Sequence, residues 1–206
     1  MLYNFLWTSF HCLFGYLFEQ DANDEIVYTF PVLFKAGQKG KYFSIWIFWR
    51  WIVFSIYHGV VVFYGTIYGT EESVNPDGKV NEHWFKSTLC FTIVLHIVMY
   101  KMFLETVYWN SVSIIFCLLC FFLYYGIIFF GSIHSISVIF QDQINGIAFQ
   151  MFGTAKFWLI IIVAPIIALL PDITYMLGQR IFFPTPTDIV MHHQKKQNVQ
   201  DDIVDR

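Results

Sequence analysis

The chain has 206 residues, of which 57% are hydrophobic and 21% aromatic. Only 13% are charged, about half the share usual in soluble domains. With a mean hydropathy of +0.55 this composition reads as an integral membrane protein, and the net charge of -3 leaves no basic face for nucleic acid.

The first charge is Glu19, so Met1 to about Phe18 forms a first span. Eighteen helical residues cover roughly 27 Å, close to the ~30 Å hydrocarbon layer. No positive leader precedes the run and no small-residue cleavage site follows it, which argues against a signal peptide. A chain that opens inside the membrane in this way is expected to be the end of something longer. Within the span, Asn4, Thr8 and His11 fall four and three apart, a polar stripe on one helical face. Such a stripe suits a track for a polar head group or an ion. It equally suits hydrogen bonds between helices.

The second span runs from about Phe43 to Tyr68 and the third from about Trp84 to Leu104. Gly65 and Gly69 match the Gly-x-x-x-Gly pattern of close helix packing. His58 and His96 sit on separate spans with no partner at metal-ligand spacing, which reads as two core histidines. Lys101 and Glu105 are i,i+4 neighbours that could pair at the end of the third span.

The fourth span is about Ser111 to Phe130, after which the Gly131–Gly153 stretch turns back. Cys12, Cys90, Cys117 and Cys120 all lie in apolar runs and read as small buried hydrophobes. The fifth span, about Ala155 to Leu177, contains Pro165 and Pro171, tolerated where neighbours re-satisfy the freed carbonyls. Asp172, about a turn inside its end, needs a partner or water. Arg180 lies where lipid head groups would be. The tail 191–206 is polar. Continuous apolar runs without period-2 alternation predict an all-α membrane protein of five spans and favour helices over a β-barrel.

Lys35, Lys39, Lys41, Lys101, Arg180, Lys195, Lys196 and Arg206 fall in the first loop, the third turn and the tail. The positive-inside rule places those segments in the cytosol and Met1 on the exoplasmic side. The sequence contains neither Gly-x-x-x-x-Gly-Lys-Ser/Thr nor His-Glu-x-x-His nor Asp-Lys-Thr-Gly. It offers no recognisable means of binding or hydrolysing ATP.

Several motifs, taken in order, resemble the C-terminal membrane region of the type-4 P-type ATPases, the phospholipid flippases. Leu2-Tyr3-Asn4 with Thr8-Ser9 looks like that family's sixth helix, and Phe18-Glu19-Gln20-Asp21 like its exit. Tyr28 to Gln38 is similar to the loop before the seventh helix, and Phe48-Trp49 and Tyr57-His58 fit that helix. Leu104-Glu105-Thr106-Val107-Tyr108-Trp109 resembles the turn after the eighth, while Phe157-Trp158, Pro165 and Leu170-Pro171-Asp172 fit the tenth.

The resemblance implies that residues 1–190 are helices six to ten of a ten-helix pump. That pump would move aminophospholipid-type lipids from the exoplasmic to the cytosolic leaflet of a plasma, Golgi or endosomal membrane. By position, Asn4 and Thr8 would line the lipid path, with the later helices as a support. His11, Lys101, Glu105, Asp172 and Arg180 would be structural or lipid-contacting. Phe10-His11-Cys12 departs from the family's usual Leu-Pro-Pro or Leu-Pro-Val, so the proline that loosens the sixth helix is missing here.

No cofactor is expected in these residues; ATP and Mg are implied for the full-length pump. The implied partners are the rest of the ATPase chain, phospholipid, and a two-span accessory subunit at loops 69–86 and 131–154. By itself the chain is expected to be inactive. Two other readings stay open: a fragment that assembles with or regulates a full-length pump, and an independent five-span carrier using Asn4, His11, His58 and His96.

Overall fold

The computed structural model describes residues 43–70, 83–106, 110–133, 145–185 and 188–190. All regular structure among them is helical, in the order α1 (Ile45–Thr70), α2 (His83–Glu105), α3 (Ser111–Gly131), α4 (Ile147–Gly153) and α5 (Ala155–Phe182). Asn4, Thr8 and His11, the first span, the tail 191–206 and the middles of both candidate accessory-subunit loops lie outside the described residues.

α1, α2, α3 and α5 are each long and apolar enough to cross a membrane. Their outward faces carry large apolar side chains, among them Trp46, Phe63, Phe122 and Leu159. In water such a surface would be unstable, but in a bilayer it meets lipid tails of equal polarity. Helix-interior threonines return their hydroxyls to the carbonyl four residues back, as Thr66 does to Val62 at 2.8 Å and Thr88 to Trp84 at 2.8 Å. Those hydroxyls are thereby not left for the lipid to solvate.

α5 is the hub. It packs on α1 and α2, which also pack on each other, and α4 bridges α2, α3 and α5. The buried set here includes Val62, Leu89, Ile93, Phe157, Ile161, Ala164 and Ala168. The glycines of α1 explain its close approach to α5. Gly65 faces Ala164, and a Cβ on Gly69 would lie 2.2 Å from Cδ1 of Ile160. The Gly-x-x-x-Gly pattern therefore marks a real helix contact.

α3 joins differently, through large side chains. Leu95 and Met99 of α2 meet Cys117, Cys120 and Tyr124 of α3 in a second buried cluster. Cys117 and Cys120 are free thiols in that packing, as the sequence reading expects.

Between α3 and α5 the structure adds an element to the turn expected from sequence, the seven-residue helix α4. Gly146 precedes it with φ of 75°, a left-handed conformation that glycine adopts without steric cost. Having no side chain, Gly146 cannot cap the helix. Ser132 supplies the cap from the far end of the excursion: its Oγ accepts from the Ala148 amide at 3.0 Å, and its carbonyl accepts from the Gly146 amide at 3.0 Å.

Candidate functional site

Polar side chains inside apolar helices are the first place to look for function. Among the described residues they collect in two clusters.

The first joins α1, α2 and α5. Asp172 of α5 accepts from Lys101 Nζ of α2 at 2.8 Å through one oxygen. Its other oxygen lies 2.7 Å from Nε2 of His58 on α1. An ionised carboxylate only accepts, so His58 carries a proton on Nε2. All three side chains are largely buried. One negative charge thus answers one ammonium and one ring N–H, and the trio is neutral when His58 is neutral. This balance makes a lysine and an aspartate tolerable so far inside apolar helices. The Lys101 ammonium also sits 4.0 Å from the Trp51 ring centroid, a cation–π contact.

One turn further along α5, Tyr175 accepts a hydrogen bond from Arg50 Nη1 through its hydroxyl, and the guanidinium carbon lies 4.3 Å from its ring centroid. Asp172 and Tyr175 are three apart and share one face of α5, so the helix grips its neighbours twice. A cavity of about 150 Å³ opens beside these contacts, lined by Arg50, Trp51, Lys101, Glu105, Asp172 and Tyr175, among others. Arg50 lies near the start of α1, Lys101 near the end of α2, and Asp172 in the second half of α5. These helix portions therefore share one end of the bundle.

Tyr57, next to His58, touches α5 as well. Its hydroxyl donates to the Ile167 carbonyl at 3.3 Å. That carbonyl lacks the usual donor four residues ahead, because that residue is Pro171, which has no N–H.

The second cluster lies between α2 and α3. His96 Nδ1 donates to the Thr92 carbonyl at 2.8 Å, which leaves Nε2 of the neutral ring to accept from Tyr125 at 3.1 Å. Thr92 Oγ1 donates to the Thr88 carbonyl at 2.7 Å and then accepts from Tyr124 at 2.6 Å. Phe121 and Tyr100 enclose the imidazole. Each polar atom in this chain of bonds is answered, which fits a helix-pairing device.

Of the residues singled out from sequence, Lys101 and Asp172 meet each other, and Glu105 lines the same cavity. Lys101 takes a partner on another helix; only its i,i+4 spacing to Glu105 was visible in the sequence. Arg180 stands apart, half-exposed, with Nε 3.9 Å from Asp188. His58 and His96 have separate sets of partners. Sequence reasoning gave no role to Trp51 or Tyr175. Tyr175 carried a usable signal, since it falls three residues after an intramembrane aspartate. Among the described residues, no group of three or more His, Cys, Asp or Glu side chains gathers as a metal site.

Comparison with known proteins finds a family model over residues 1–185, that of the phospholipid-translocating P-type ATPase C-terminal region. Similar curated proteins include phospholipid-transporting ATPase DRS2 of Saccharomyces cerevisiae, 30% identical over 208 aligned positions, which take in 97% of this chain and 15% of that protein. Phospholipid-transporting ATPase C887.12 of Schizosaccharomyces pombe is 28% identical over 97% of this chain and 16% of its own length. The human phospholipid-transporting ATPase IC is 27% identical, again over 97% of this chain and 16% of its own. The chain thus spans about one-sixth of the length of these relatives.

Proposed function

Since the chain belongs to the phospholipid-translocating P-type ATPase C-terminal family, we propose that its helices form the support wall and one side of the lipid track of an ATP-driven phospholipid pump. The observation that carries this reading is the family match over residues 1–185, on a chain with four described helices able to cross a membrane. In this reading α1, α2, α3 and α5 are the seventh to tenth helices of the pump. The clasp of Asp172 with His58 and Lys101 holds three of them as a unit, as a support requires.

The lipid moves from the exoplasmic to the cytosolic leaflet, and its head group is of the aminophospholipid type. Asn4 and Thr8 present hydrogen-bonding groups to that head group, with His11 as a structural or lipid-contacting residue. ATP and Mg act in a part of the pump outside these 206 residues, where phosphorylation supplies the energy. A two-span accessory subunit meets the exoplasmic loops 69–86 and 131–154. The shared end of Arg50, Lys101 and Asp172 is cytosolic, in keeping with the distribution of basic residues. The protein works in a plasma, Golgi or endosomal membrane.

The 206 residues alone are then inert. Purified and reconstituted in liposomes with Mg-ATP, they leave fluorescent phosphatidylserine in the leaflet where it was placed. Movement of the lipid by this chain alone would overturn the reading and favour an independent carrier.

A further inference from the structure

Two adjacent residues of α1, Tyr57 and His58, hold α5 on both sides of its second proline. Tyr57 donates to the carbonyl of Ile167, four residues before Pro171, at 3.3 Å. His58 bonds Asp172, the residue directly after Pro171, at 2.7 Å. A proline removes one intrahelical bond, and its ring crowds the preceding turn, so a helix bends there most readily. Within apolar surroundings the freed carbonyl needs a donor from elsewhere.

We propose that Tyr57 and His58 form a splint across the proline break of α5. The splint makes the segment after Pro171 move with α1 instead of hinging on its own. That segment carries Asp172 and Tyr175, which in turn hold Lys101 of α2 and Arg50 of α1. The brace therefore fixes the end of α5 at which three helices meet. Pro165 marks the contrast. It lies in the part of α5 where Ala164 faces Gly65 of α1, so close packing restrains the helix there. At Pro171 polar contacts take over that task.

The test uses the full chain in phosphatidylcholine nanodiscs. Spin labels go on Ile162 and Ile181, both exposed and on opposite sides of the break. Nineteen helical residues separate them by roughly 28 Å, a span suited to pulsed electron resonance. The unsubstituted helix gives a narrow distance distribution. Tyr57→Phe removes only the donor, and His58→Ala only the second hold; each broadens the distribution about twofold. Pro171→Ala restores the amide that the Ile167 carbonyl lacks. In that background both substitutions leave the distribution narrow. The proposal is overturned if neither substitution broadens the distribution, or if the broadening persists with alanine at position 171.

Discussion

Lys101 and Asp172, 71 positions apart in the chain, meet at 2.8 Å between α2 and α5. Neither would be stable alone in apolar helices, and together with His58 they become a three-helix clasp. Replacing Asp172 by Asn keeps an acceptor for His58 but leaves the Lys101 ammonium without its counter-charge. We expect Asp172→Asn to cost about 2–4 kcal/mol of stability in detergent. In the Asp172→Asn/Lys101→Met double variant the loss is well below the sum of the single losses. Thermal unfolding of the four proteins gives the cycle, and strict additivity would show that the two groups do not interact.

The α1–α5 contact makes a sharper distinction between two glycines of one motif. A Cβ on Gly65 meets Ala164 at 3.7 Å, an ordinary contact, whereas one on Gly69 meets Ile160 at 2.2 and 2.9 Å. Gly69→Ala therefore lowers stability by about 1–3 kcal/mol through overpacking, and Gly65→Ala changes it little. Truncating Ile160 to Ala makes room, so Gly69→Ala costs less in that background. Equal effects at both glycines would contradict the packing described.

Between α2 and α3 the hydrogen bond of Tyr125 to His96 is expected to couple the two helices modestly. Tyr125→Phe and His96→Phe should each destabilise the chain. Their double-mutant cycle should show a coupling of about 0.5–1.5 kcal/mol, the range found for polar contacts within membranes. A coupling energy of zero would mean that the bond does not hold the helices together.

Much of this architecture is legible in the sequence because it depends on lengths and periods. Apolar runs of about twenty residues fix the positions of α1, α2, α3 and α5. Gly65 and Gly69 announce a close helix contact, and an aspartate within a span announces a missing partner. The identity of that partner is not legible. His58 and Lys101 lie on different helices, and only the packing of α1 and α2 on α5 brings them to one carboxylate. Tyr57 is hidden for the same reason, since its target is a backbone carbonyl that exists as an acceptor only because Pro171 follows. The helix α4 escapes notice because seven residues are too few to show a period, and its cap comes from Ser132 on the other side of the excursion. Asn4, Thr8 and His11 lie outside the described residues.

The proposed lipid path has its own test in a working pump. With residues 1–185 of this chain in place of the matching region of the Saccharomyces cerevisiae phospholipid-transporting ATPase DRS2, Asn4→Ala and Thr8→Ala should each lower ATP-dependent lipid movement severalfold. Expression and phosphorylation by ATP should stay unchanged. Full lipid movement in both variants would remove Asn4 and Thr8 from the path.

The unsubstituted chimera tests the central claim most directly. Its ATP-dependent movement of fluorescent phosphatidylserine is measured in reconstituted liposomes, against the parent pump and the 206-residue chain alone. The account predicts that the chimera moves the lipid towards the cytosolic leaflet and that the chain alone does not. A chimera that folds and hydrolyses ATP yet leaves the lipid in place would contradict it.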